Sequence, residues 1–89
     1  MDISRGRCLL APLRIANNWS QLELSRRTGY DKEKRTGFSD RMISHFELYD
    51  GEGKGKPMSP EAMYTFSRLF GVDMKLLYEW YVNGIIDAE

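Results

Sequence analysis

The sequence predicts an all-α, compact five-helix domain with a lengthened connection between helices 2 and 3. Three observations carry this. Ser20, Ser39 and Ser59 each stand ahead of an apolar-periodic stretch, where a hydroxyl can cap a helix N-terminus. Apolar residues recur at i, i+3, i+4 spacing within residues 42–46, 63–70 and 76–81. Glycine and charge dominate the segments between them, as in Asp50-Gly51-Glu52-Gly53-Lys54-Gly55-Lys56-Pro57, a loop by composition. With 89 residues and 42% hydrophobic content, the chain suffices for one domain around one small core.

Residues 1–10 read as an N-terminal extension, with 3–10 open to an extra turn or a short strand. Pro12 lacks an N–H and fits only the first turn of a helix, so helix 1 is placed from near Ala11 to Asn17 or Asn18. Leu13 and Ala16 are its inward candidates. Ser20 followed by Glu23 is a capping-box pattern, and helix 2 runs from there to Thr28, ending at Gly29. Leu22 and Leu24 supply apolar positions that can turn inward, and Ser25 is a small inner-face residue. A charged insertion follows over residues 31–38. Its flanks, Thr28-Gly29-Tyr30 and Thr36-Gly37-Phe38, are near copies, so either glycine can be the turn glycine.

Ser39 caps helix 3, and Asp40 suits its positive first turn. Met42, Ile43 and Phe46 take the inner face, leaving Arg41, Ser44 and His45 outward. Ser59-Pro60-Glu61 opens helix 4, which carries Met63, Phe66, Leu69 and Phe70 and stops at Gly71. Asp73 caps helix 5, with Leu76, Leu77 and Trp80 or Tyr81 at helical spacing. The order of helices 2 and 3, with a small inner residue, a turn glycine and a capped second helix, is that of a helix-turn-helix. The domain is bounded at 11–82, with 83–89 as a tail.

Composition narrows the function classes. No run approaches the roughly 18 apolar residues of a membrane span. The apolar stretch after Arg5 and Arg7 is too short for a signal peptide. A single cysteine excludes an internal disulfide framework and suits a reducing cytoplasm; Cys8 reads as a small buried residue. With one histidine, no metal site or cofactor is expected, and no paired catalytic constellation suggests an enzyme. The net charge is zero, yet residues 1–56 hold 11 Lys/Arg against 8 Asp/Glu, and residues 57–89 hold 2 against 5. Such a dipolar chain can present a basic face to phosphates.

The segments Leu13-Arg14, Trp19-Ser20-Gln21-x-x-Leu24-Ser25, Gly29 or Gly37, Ser39-x-x-x-Ile43-x-x-Phe46-Glu47, Gly51 and Gly71-Val72-x-x-x-x-Leu77 together resemble the phage Cro/repressor-type helix-turn-helix family. The resemblance spans Ala11 to Tyr78. It implies a DNA-binding protein in which Arg14 and Glu47 form a buried structural salt bridge and Gln21 touches a DNA phosphate. It places Asp40, Arg41, Ser44 and His45 at base-reading positions. The 31–38 insertion and a longer Glu47-to-Gly51 segment depart from the family pattern.

Each outward residue has a plainer alternative. Arg41 is either a bidentate partner for guanine O6 and N7 or a solvated surface arginine. His45 is a base or phosphate contact or a surface residue; Asp40 accepts from a cytosine amino group or supports the helix start. Ser39 donates to a phosphate, caps the helix, or does both. Arg26, Arg27, Lys32, Lys34 and Arg35 form a basic cluster that either meets phosphates or is a solvated face. Residues 51–56 fail as a phosphate-binding P-loop, since the glycine spacing is short and Pro57 follows Lys56. Lys54 and Lys56 can instead lie along a DNA backbone.

Tyr78, Trp80, Tyr81 and Ile85 are dimer candidates, because aromatic surface marks interfaces. A homodimer would set two reading helices about 34 Å apart on a near-palindromic operator. The expectation is a small repressor-like regulator of phage or mobile-element type, acting by steric exclusion and controlled by concentration or a regulatory protein partner. The alternative is a protein-interaction module, an antitoxin or antirepressor-like adaptor, on the same fold.

Overall fold

The computed structural model describes the backbone of residues 2–83 and the side chains of residues 5–80. In chain order the elements are strand β1 (Asp2–Cys8), helices α1 (Leu10–Ala16), α2 (Gln21–Arg27), α3 (Asp40–Leu48) and α4 (Pro60–Phe70), a 3-10 turn (Met74–Leu77) and strand β2 (Tyr78–Asn83). The five-helix, all-α expectation is therefore wrong: among the described residues there are four α-helices and a two-stranded antiparallel sheet.

Of the two readings left open for residues 3–10 the short strand is the one that forms, while the expected helix 5 does not. The segment taken as an extension is β1, and it pairs with β2 from Asp2↔Asn83 to Cys8↔Tyr78, with an irregularity between Arg5 and Cys8. The expected helix 5 is one 3-10 turn capped by Asp73, whose carboxylate accepts from the Lys75 N–H at 3.1 Å. Beyond it the chain extends, because Tyr78–Asn83 finds its hydrogen-bond partners on β1 rather than within itself.

The serine caps form. Ser20 accepts from Glu23 N–H, Ser39 from Met42 N–H and Ser59 from Ala62 N–H, at 3.0, 3.2 and 3.1 Å. Gly71 ends α4 in the left-handed conformation, at φ 66°.

The core joins all of these elements: Cys8, Leu10, Leu24, Phe38, Ile43, Phe46, Met58, Ala62, Phe66, Leu77 and Tyr78 are buried. Phe38, Phe46 and Phe66 meet with ring centroids 5.6 to 6.2 Å apart. The Tyr78 hydroxyl accepts from the buried Met58 N–H at 2.7 Å, which ties β2 to the start of α4. Tyr78 is thus core and not a dimer surface. Leu22, Met42, Ala16 and Leu76, expected to face inward, are exposed. The Phe38 ring, contributed by the loop before α3, packs beside Phe46 on the inner side of α3.

The sheet lies at the C-terminal end of α3. Cys8 N–H donates to Tyr49 O at 3.1 Å, and a β-carbon on Gly51 would stand 2.7 Å from Arg5 O. This leaves the outward side of the N-terminal half of α3, with Asp40, Arg41, Met42 and His45, exposed.

Candidate nucleic-acid interface

Three polar residues hold α3 against α1 and α2. Arg14 Nε lies 2.7 Å from Glu47 Oε2 and its Nη2 lies 3.1 Å from Oε1. This is the ion pair implied by the resemblance, with side chains only 15% and 8% exposed. Arg14 Nη1 also donates to Trp19 O at 2.9 Å, just ahead of α2. Gln21 Nε2 donates to Glu47 Oε1 at 2.9 Å. The residue expected at a DNA phosphate is thus engaged in the α1–α3 brace, at the first position of α2.

The connection between α2 and α3 is stitched at its base. Ser25 Oγ, buried, donates to Phe38 O at 2.8 Å, and Phe38 N–H donates to Thr28 Oγ1 at 2.9 Å. Thr36 Oγ1 donates to Gly29 O at 2.8 Å. Gly29 and Gly37 both have positive φ, 76° and 68°, so both sequence candidates are turn glycines. Between them the chain makes a small hairpin: Asp31 and Thr36 exchange backbone hydrogen bonds of 3.0 and 3.2 Å. The Asp31 carboxylate accepts from the N–H groups of Glu33 and Lys34 at 2.9 and 3.0 Å, fixing the tip.

This geometry divides the basic cluster. Arg26 and Arg27 both bind Glu23, and Arg27 also lies over the Trp19 ring at 4.3 Å. The Glu23 carboxyl is held below its ordinary range, first by the Arg26 hydrogen bond. Lys32, Lys34 and Arg35 are exposed on the hairpin and form no salt bridge among the described residues. With the exposed Arg41, Lys54 and Lys56, they are cations available to an anionic partner. Sequence reasoning missed the role of Glu23, although its spacing to Arg26 and Arg27 gives it away.

On α3 itself, Asp40, Arg41, Met42 and His45 are exposed and Ser44 is half-buried. The C-terminal end of the helix is fixed by the following loop. Lys56 N–H donates to His45 O at 3.0 Å, and Asp50 accepts from Glu52 and Lys54 N–H at 2.7 and 3.2 Å. These backbone hydrogen bonds hold the Asp50 carboxyl below its ordinary range. The Lys54 and Lys56 side chains remain exposed beyond that end.

Trp80 is 41% exposed and its indole N–H donates to Lys75 O; the Tyr81 side chain and Ile85 lie outside the described residues. Among the described residues no group of three or more His, Cys, Asp or Glu is placed to hold a metal ion. Among them, too, no helix is long and apolar enough to cross a membrane. The chain matches no protein-family model, no curated protein and no solved structure.

Proposed function

We propose that this chain binds double-stranded DNA sequence-specifically and serves as a small cytoplasmic transcriptional regulator, a repressor of phage or mobile-element type. One observation carries the reading. The outward side of the N-terminal half of α3 is open and, apart from Met42, polar, while its other end is braced by Arg14, Gln21 and Glu47 and by the Asp50–Lys56 loop. A rigid helix that displays Asp40, Arg41, Ser44 and His45 beside the exposed Lys32, Lys34 and Arg35 suits the major groove and its flanking phosphates. Arg41 supplies bidentate donors for guanine, at about 1–3 kcal/mol of discrimination. Ser39, Lys32, Lys34 and Arg35 position the helix on phosphates, with Lys54 and Lys56 at the far end. No catalytic step is part of this reading.

The assembly that fits is a homodimer on a near-palindromic operator, with repression by steric exclusion. The test is selection of bound duplexes from a random pool by the native chain and by Arg41→Ala. The expected result is an enriched near-palindrome whose preference relaxes at one position per half-site in the variant. No enrichment at low salt would overturn it.

A second reading, a protein-interaction adaptor, is favoured by one feature. Leu22 and Tyr30, 68% and 44% exposed, line a groove on α2 with Ser20, Glu23, Ser25 and Arg26. Weak salt dependence of any DNA binding would support it.

A further inference from the structure

We propose that Met42 reads the 5-methyl group of thymine, next to the guanine contacted by Arg41. The inference rests on the DNA-binding reading and adds to it a specificity residue that spacing alone had assigned to the core. Met42 follows Ile43 and Phe46 in the apolar pattern of α3, yet it is 43% exposed while they are 0% and 5% exposed. Ile43, Phe46 and the incoming Phe38 form the packed side of the helix, and Met42 stands at the border of the open side.

In the first two turns of α3, every other exposed side chain is charged or polar: Asp40, Arg41 and His45, with Ser44 half-buried. Met42 lies three residues before His45 and Arg41 four residues before it, so each neighbours His45 on the helix surface. The backbone of Met42 is fixed, since its N–H donates to Ser39 Oγ at 3.2 Å. The thioether chain is unbranched and adaptable, suited to filling an irregular apolar gap. In the major groove the one apolar group that a base edge offers is the thymine methyl. An exposed methionine held at the start of a reading helix has that group as its match.

The experiment uses the duplex enriched by the native chain, resynthesised with deoxyuridine in place of each thymine in turn. This removes one methyl group and leaves each base's hydrogen-bonding edge intact. Affinities of the native chain, Met42→Ala and Met42→Leu are read by fluorescence anisotropy. At one thymine per half-site, adjacent to the guanine whose preference Arg41→Ala relaxes, the native chain should lose about fourfold, the worth of one methyl group returned to water. Met42→Ala should lose nothing further there, and Met42→Leu should keep the penalty.

Indifference of the native chain to every replacement overturns the inference while specific binding stands. So does an undiminished penalty in Met42→Ala. Failure of the pool to enrich any duplex overturns the DNA-binding reading and this inference with it. Unchanged thermal unfolding of Met42→Ala separates a lost contact from a lost fold.

Discussion

The backbone of Gly37 rests on that of Tyr30: a β-carbon built on Gly37 would stand 2.5 Å from Tyr30 N and 2.7 Å from Gly29 C. The insertion is therefore pinched shut at its base. Thr28 and Phe38 meet across it through hydrogen bonds, and α2 and α3 keep a close turn despite the extra length between them. Local sequence offers two equivalent glycines because the chain passes the same corner twice.

Gly37→Ala should therefore destabilise the domain by about 2 kcal/mol or more. A left-handed conformation costs a side chain roughly 1–2 kcal/mol, and the clash with fixed backbone adds to it. Chemical denaturation checks this. Excising residues 30–36, so that Gly29 joins Gly37, should by contrast leave a folded chain. It should bind the same operator with a salt slope shallower by about 2–3, as three phosphate contacts are lost.

The Arg14–Glu47 pair is nearly buried, so removing one partner strands the other. Glu47→Ala should cost about 3–5 kcal/mol and loosen α3, since Gln21 loses its acceptor as well. Arg14→Met combined with Glu47→Leu should be less destabilised than Glu47→Ala alone, because no buried charge is left over. Equilibrium urea unfolding of the two variants beside the native chain distinguishes a buried ion pair from a surface one.

Tyr78 is 2% exposed and its hydroxyl accepts the Met58 N–H. Tyr78→Phe keeps the ring and orphans a buried donor, which should cost about 1–3 kcal/mol. Amide exchange at Met58 should accelerate beyond the global change in stability.

Burial pushes the Cys8 thiol from its ordinary value of 9.0 to about 11, opposed by a hydrogen bond from Leu10 N–H and reinforced by the Glu47 charge. Iodoacetamide at pH 8 should accordingly leave Cys8 unmodified until the chain is unfolded. The sign of the linked stability follows. Between pH 9 and about pH 11 the unfolded thiol ionises while the folded one stays protonated, so stability is full below pH 9 and falls through that window. Replacement of Cys8 by Ala should flatten that part of the pH–stability curve.

The helical half of the fold was legible because its signals are local. Serine caps, Pro60 at a helix start and Gly71 at an end act within one turn, and each sits where the sequence puts it. The sheet was not legible, because its partners lie at opposite ends of the described chain. β1 contains Arg5, Gly6 and Arg7, which show no alternating pattern, and it becomes a strand only through Tyr78–Asn83. In turn, the spacing of Leu76, Leu77 and Trp80 satisfies a helical period by coincidence over too short a run for periodicity to decide. At the candidate site, the outward residues of α3 followed from period. The exposure of Met42 did not, because its four-residue spacing to Phe46 fits the inner face equally well.

The most direct test of the account is a titration of the isotope-labelled chain with a mixed-sequence duplex at low salt, followed by amide chemical shifts. Binding through α3 predicts shifts confined to residues 39–45, the 32–36 hairpin tip and the 54–56 loop, with β1 and β2 unmoved. Shifts centred on Leu22, Tyr30 and the sheet, or none at any duplex concentration, would contradict it.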